Sequence, residues 1–249
     1  MDTPLVSIVI PLYNYSRFIN DCLESCTQQR YDNVEILVID DKSTDDGAQK
    51  VKDWRKKDRR VKLLRHKWNQ GYSAAKNTGI IAANGEMIVH LDADDMLTPK
   101  SITKRLAAFT DDIDMVHGTA RNFQGNHTYA WCLQKNKTLE VNPKVTIHAQ
   151  GVMIRRACYE KYGLYDEELR AKADKEMWVR LREVAGITMV RLNYPVAYYR
   201  MHGKSMMAKR RRHPKHNQRI TEAYDFLGGL KFTFIVVGLH ALEIRDFKT

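Results

Sequence analysis

Four short apolar, β-branched runs, Leu5–Ile10, Val34–Ile39, Val61–Leu64 and Met87–Leu91, are separated by stretches each long enough for one helix. This alternation constrains the fold more than any other feature. Apolar runs without polar alternation are the pattern of strands buried on both faces, as in parallel sheets. The segments between them have helical spacing: Phe18, Ile19, Cys22, Leu23 and Cys26 line one face of Tyr15–Gln28. Ser43 or Thr44 starts the next helix, with Asp45 and Asp46 in its positive first turn, and Lys50–Asp58 continues it. Tyr72–Ala83 is a third. An order β-α-β-α-β-α-β with short crossovers implies a mostly parallel sheet with helices on both faces. Thr98 followed by Pro99 predicts a cap and a first helical position, the helix ending near Phe109. From Asp114 the pattern loosens into mixed strands around Met115–His117, Tyr129–Leu133 and Gly151–Arg155, with a helix near Lys172–Val184.

The 249 residues are 43% apolar, which supplies a core without staples and excludes disorder for most of the chain. Cys22, Cys26, Cys132 and Cys158 form no C-x-x-C pair. They form no disulfide framework or zinc ribbon, a reducing compartment is expected, and Cys22 and Cys26, four apart on a helix, read as two small buried residues on one face. The start of the chain lacks a basic leader and a small-residue cleavage site, and no run reaches the roughly 18 apolar residues of a spanning helix. The expectation is a cytoplasmic protein, at most peripheral to a membrane. Charge is concentrated: the formal net charge is +11, with ten Lys and Arg in residues 50–67 against Asp53 and Asp58. Residues 200–219 carry eight against no acid. Such clusters attract polyanions, whether nucleic acid, anionic lipid headgroups or phosphorylated small molecules, without choosing among them. The first cluster reads as a solvated helix face, and Lys209–Arg212 as a flexible tail or a binding segment.

In open α/β sheets ligands bind beyond the carboxyl ends of the strands. Those ends carry Pro11-Leu12-Tyr13-Asn14, Asp40-Asp41 and Asp92-Ala93-Asp94. If the strand continues through Ala93, Asp92 and Asp94 point to one side. A pair of hard oxygen ligands suits Mg²⁺ or Mn²⁺ completed by substrate phosphates; the bland alternative is a polar turn that caps the next helix. Gly71 precedes a helix bearing Lys76, a cation able to reach a phosphate or base, or simply a surface lysine. Neither a Walker loop nor the G-x-G-x-x-G pattern is present. Asp174 stands at the start of a helix anchored by Met177, Trp178 and Leu181, where it can take a proton from a hydroxyl or cap the helix. His202 can be a neutral metal ligand or an ordinary histidine beside a basic tail.

Taken together, these motifs closely resemble the family 2 inverting glycosyltransferases of GT-A fold, over about residues 5–204. Ser7–Asn14 is similar to the family's opening strand, Val38–Asp45 to its V-D-D-G-S-T-D segment, and Asn69–Gly79 to N-x-G-x-x-x-A-R-N-x-G. Leu91–Asp95 resembles the D-x-D, Ala173–Arg180 the E-D-x-x-L-W-x-R helix, and Tyr199–His202 the late Y-R-x-H. Lys42 stands for the usual glycine, Lys76 for the usual arginine and Ala173 for an acid. The resemblance implies a Rossmann-like central sheet flanked by helices, with a nucleotide-sugar-binding half (1–112), a mixed-strand acceptor half (113–204) and a basic, apolar C-terminal extension (205–249). It further implies that Pro11 and Tyr13 line the nucleobase site, that Asp41 accepts a hydrogen bond from the base, and that Asp92 lies near the ribose. Lys76 would contact phosphate or base, Asp94 and His202 would serve a Mn²⁺ or Mg²⁺ ion, and Asp174 would be the catalytic base.

The implied reaction moves a sugar from a nucleoside-diphosphate sugar, expected to be a UDP-sugar, to a hydroxyl of a saccharide or lipid-linked acceptor. A nucleotidyltransferase is the first alternative, although Pro11-Leu12-Tyr13-Asn14 is not the Gly-rich, basic loop such enzymes carry there. A nucleic-acid-binding module is the second; no recognition helix or stacking motif accompanies the basic runs. The tail with Phe232–Leu239 can dock on an anionic membrane surface or form an added element or oligomer contact.

Overall fold

The computed structural model describes residues 3–124, 127–130, 139–141, 147, 149–169 and 173–203, and its strands form one sheet. β1 (Val6–Leu12), β2 (Val34–Asp40), β3 (Val61–Arg65) and β4 (Met87–His90) are all parallel, in the order β3-β2-β1-β4. Helices α1 (Ile19–Thr27), α2 (Gly47–Lys57) and α3 (Tyr72–Ala82) make the crossovers. Beyond them come β5 (Met96–Leu97), α4 (Ser101–Leu106), β6 (Met115–Gln124), β7 (His127–Ala130), β8 (Leu139–Val141), β9 (Val152–Arg155), α5 (Arg156–Tyr162), α6 (Ala173–Val179) and β10 (Met189–Arg200). The sheet continues from β4 through β9, β6 and β10 to β5. β9 runs antiparallel to both β4 and β6, whereas β10 is parallel to β6. β7 and β8 pair with β6 and β10 off this path.

The period of two explains why the first strands are apolar throughout. Val6, Ile8, Ile10 and Leu12 join Ile19, Cys22, Leu23 and Cys26 of α1 and Val51 of α2 in one layer. Val9, Leu37 and Ile39 face the opposite layer, with Ala75 and Ile80 of α3 and Met177 and Trp178 of α6. The second layer also holds Ile88, Met115, Val152, Ile154 and Met189, so strands of both halves share one core. α3 lies hard against the sheet. A Cβ at Gly79 would sit 2.4 Å from Val9 Cγ1 and 2.7 Å from Ile39 Cδ1, closer than any side chain can be.

Several boundaries differ from those expected. α2 opens at Gly47, not Ser43 or Thr44, because the side chains meant to cap it serve the loop. Ser43 Oγ accepts from Asn14 N (3.1 Å), and Asp45 accepts from Ser16 N (2.9 Å) and Gly47 N (3.0 Å). Thr98 likewise does not cap: its hydroxyl donates to Pro195 O (2.9 Å), and α4 begins at Ser101 with Pro99 in the turn before it. β6 runs on to Gln124, and β5, β8, α5 and β10 were not anticipated. β10 is masked in sequence by Asn193-Tyr194-Pro195, and its pairing to β6 shifts register on both sides of Pro195, which has no N–H to contribute. Residues 131–133 of the expected strand, Cys132, Lys172 and the whole extension beyond residue 203 lie outside the described residues, as do Lys209–Arg212 and Phe232–Leu239. The described cysteines Cys22, Cys26 and Cys158 are buried and free. No helix among the described residues is long and apolar enough to cross a membrane.

Candidate active site

Parallel pairing brings the carboxyl ends of β1, β2 and β4 to one edge. Pro11 is buried within β1, whereas Tyr13 just beyond it is 45% exposed at the edge. Asn14 and Lys42 turn the chain after β1 and β2 in the left-handed region, with φ of 56° and 62°. Asn14 Oδ1 accepts from Thr44 N (2.8 Å), tying the two turns together. Asp41 is buried and clamps the next loop: its carboxylate accepts from Gln70 N (2.7 Å) and Gly71 N (2.8 Å) and lies 2.8 Å from His66 Nδ1. His66 Nε2 in turn lies 2.9 Å from Thr78 Oγ1. Gly71, at φ 99°, can then enter α3 directly.

β4 ends at His90, so the strand does not carry through Ala93 as expected. Asp95 N bonds Asp92 O (3.0 Å), and the resulting turn brings ligand oxygens of Asp92, Asp94 and Asp95 within 4.8 Å of one another. Asp92 accepts from the Tyr72 hydroxyl (2.6 Å) and from Gln150 Nε2 (3.0 Å). Burial, with Lys76 opposing and Asp94 and Asp174 adding, pushes its carboxyl up to about 6. Burial and the neighbouring Asp94 and Asp92 charges hold the Asp95 carboxyl well above the ordinary range. Among the described residues, buried Asp95 Oδ2 has no hydrogen-bond partner. A cluster of hard oxygen atoms that repel one another, half-buried at Asp92 and Asp94 and buried at Asp95, fits a hard divalent cation such as Mg²⁺ or Mn²⁺.

The turn is braced from β10. Arg200 donates from its backbone N to Asp95 Oδ1, from Nε to Asp94 O and from Nη2 to Asp21 Oδ2, each at 2.8 Å. Its guanidinium lies between the Phe18 and Phe123 rings, 4.7 and 4.5 Å from their centroids. His202 Nε2 is 2.9 Å from Asp94 Oδ2, and its Nδ1 is 3.2 Å from Arg17 Nη2. A guanidinium only donates, so Nδ1 accepts and Nε2–H points at Asp94.

Lys76, expected at a donor phosphate or base, is instead fully buried. Its Nζ lies 2.6 Å from Asp174 Oδ1 and over the rings of Tyr72 (4.5 Å) and Tyr165 (4.8 Å). Desolvation explains this: an ammonium removed from water needs an anion, and Asp174 supplies it. The Asp174 side chain keeps 32% exposure. Asp92, Asp94, Asp174 and His202 are thus joined through direct contacts or through Tyr72 and Lys76 of α3. Asp41 and Tyr13 occupy the neighbouring strand tips. Tyr72, Gln150, Asp95 and Arg200 were not assigned from sequence. The signals for three of them were the acid run to Asp95, the aromatic opening α3 and the arginine two residues before His202, whereas nothing marked Gln150.

Residues 7–163 match the family described as Glycosyl transferase family 2. Chondroitin synthase of Escherichia coli is 30% identical over 241 residues, covering 93% of this chain and 34% of that protein. The chain spans 33%, 50% and 34% of the lengths of three curated relatives it matches. S. aureus TarS (residues 1–349) in complex with UDP-GlcNAc superposes with a TM-score of 0.68 at 21% identity, covering 82% of this chain and 60% of that one. The mannosyltransferase PcManGT from Pyrobaculum calidifontis, in complex with GDP-Man and Mn²⁺, superposes with a TM-score of 0.66 at 18% identity, covering 84% and 61%. The fold of this chain is the GT-A fold of these structures.

Proposed function

The chain belongs to glycosyl transferase family 2, and we propose that it transfers a sugar from a UDP-sugar to a hydroxyl of a saccharide or lipid-linked acceptor, with inversion and with help from Mn²⁺ or Mg²⁺. The observation that carries this is the contact chain Asp174–Lys76–Tyr72–Asp92, which sets a carboxylate open to solvent beside a cation-ready acidic cluster. The nucleotide sugars named with similar structures, UDP-GlcNAc and GDP-Man, support the donor class.

In this proposal residues 1–112 receive the nucleotide and residues 113–204 the acceptor. Pro11 and Tyr13 flank the base, and Asp41 offers it Oδ2, which among the described residues accepts only from Gly71. Asp92 faces the ribose. Asp94 would hold the divalent cation, with Asp92 and Asp95 adjoining, and His202 would join it through Nε2 once that nitrogen gives up the proton it points at Asp94 and the ring leaves Arg17; when bound, the cation would neutralise charge growing on the departing diphosphate. Asp174 takes the proton of the acceptor hydroxyl as that oxygen bonds to the anomeric carbon. The bond from that carbon to the phosphate oxygen breaks on the opposite side, so one displacement inverts the centre and releases the nucleoside diphosphate.

General base catalysis contributes roughly 10²–10⁴-fold, so Asp174→Asn should lose transfer by that factor while UDP still binds. Undiminished transfer by D174N would remove Asp174 from the mechanism. Release of pyrophosphate in place of nucleoside diphosphate would identify nucleotidyl transfer.

A further inference from the structure

We propose that Lys76 is a positioning residue that serves this reaction through Asp174, fixing the base in place, and that it makes no contact with donor phosphate. The inference rests on Asp174 being the base.

Lys76 has no exposed surface, so a phosphate could reach it only if the surrounding rings moved. Among the described residues its ammonium meets Asp174 Oδ1 at 2.6 Å, the Tyr72 ring at 4.5 Å and the Tyr165 ring at 4.8 Å. Both rings are themselves held. The Tyr72 hydroxyl is bonded to Asp92 (2.6 Å). Tyr165 is 2% exposed, and its backbone is gripped by Asn77, one residue along α3: Asn77 Oδ1 accepts from Tyr165 N (2.9 Å) and Nδ2 donates to Tyr165 O (2.8 Å). A compact ammonium fits between two such rings and meets one carboxylate oxygen, whereas a planar guanidinium with a fork of donors would need more room and a second acceptor. Lysine at this position therefore suits a carboxylate anchor. Oδ1 of Asp174 is committed to Lys76, which leaves the rest of a 32% exposed side chain to meet the acceptor hydroxyl. Disorder of that carboxylate by even an ångström would cost attack geometry.

The test is a double-mutant cycle on the full chain with K76M, K76R, D174N and K76M/D174N. Release of nucleoside diphosphate from UDP-GlcNAc gives kcat and KM, and calorimetry with Mn²⁺ gives the affinity for UDP. A residue acting only through Asp174 should show strong non-additivity. K76M should lower kcat by about 10–10³-fold, with UDP affinity unchanged within about twofold, and K76M/D174N should be no slower than D174N. K76R should recover part of kcat. A loss of UDP affinity of about tenfold or more in K76M, or losses that multiply in the double variant, would overturn the proposal. Should K76M fail to fold with Asp174 left unpaired, K76M/D174N removes both charges, and its UDP affinity and kcat against D174N decide alone. Full activity in D174N would sink the base assignment and this inference with it. An inactive D174N alongside tenfold weaker UDP binding in K76M would sink the inference only.

Discussion

Lys42 occupies the left-handed region, φ 62°, where a Cβ crowds the backbone and costs roughly 1–2 kcal/mol. The resemblance that places a glycine there acquires a physical reason: the turn after β2 needs that conformation to deliver Asp41 to the loop at Gln70 and Gly71. Part of the gain from a glycine returns as entropy lost on folding, so Lys42→Gly should stabilise the protein by about 0.5–1 kcal/mol, read as a higher urea midpoint at unchanged slope. An unchanged or lower midpoint would mean that the Lys42 side chain offsets the strain. At this scale the chemistry was partly legible. Position at a strand end and at a helix start singled out Asp92, Asp94 and Asp174 as candidates, and likeness to the late Y-R-x-H segment singled out His202. Lys76 shows the limit, since linear spacing displays a cation and a helix but not the anion brought to it from 98 positions away.

The strands meet at their other end in a second polar knot, centred on Glu35. Its carboxylate accepts from Ser7 Oγ (2.6 Å), Asn84 N (2.6 Å) and Lys62 Nζ (2.7 Å), joining β1, β2, β3 and the approach to β4. Burial alone would raise this carboxyl, but the Lys62 ammonium and the Ser7 and Asn84 donors outweigh it and bring it from 4.5 to about 2. A depressed folded-state value means that the knot's full contribution is present above about pH 4.5 and is lost as pH falls toward 2. Wild type should therefore lose stability across that window. Glu35→Gln should flatten the loss and cost about 1–3 kcal/mol near neutrality, because an amide leaves buried donors unpaired. Acid melts of the two proteins that run parallel would refute this.

Elements with strong periodicity, from β1 through β4, were readable in the sequence, whereas β10 was not. A 12-residue strand broken by Pro195 and stitched to β6 through two register shifts carries no clean period. The basic residues of α2 form its solvated face, where Arg55, Lys56 and Lys57 in the last turn also complement the helix dipole.

Across the molecule, two apolar layers grip one sheet, and the acidic turn sits where parallel pairing at β4 gives way to antiparallel pairing with β9. The alternation of strands and helices announced the first part, and the second became legible mainly through motifs carried by resemblance. The acidic turn joins β4 to β5, the strand paired to β10, so a cation bound there would tie these parts of the sheet and stabilise the whole. At a concentration 100 times its dissociation constant, Mn²⁺ would add about 2.7 kcal/mol, or roughly 5–10 °C in Tm for a chain this long. Asp94→Ala should abolish that rise in a thermal scan, and an equal rise in both proteins would place the ion elsewhere.

The seat of α3 on the sheet has a mechanical meaning. One turn of that helix carries both the grip on the acidic turn and the grip on Asp174, and its own Gly79, facing the sheet without a side chain, seats the helix so close to Val9 and Ile39 that it has no room to slide. Under the proposed mechanism, the spacing between departing group and incoming oxygen would thereby be set by the backbone, and a change in the bed under α3 would alter it without altering any reacting group.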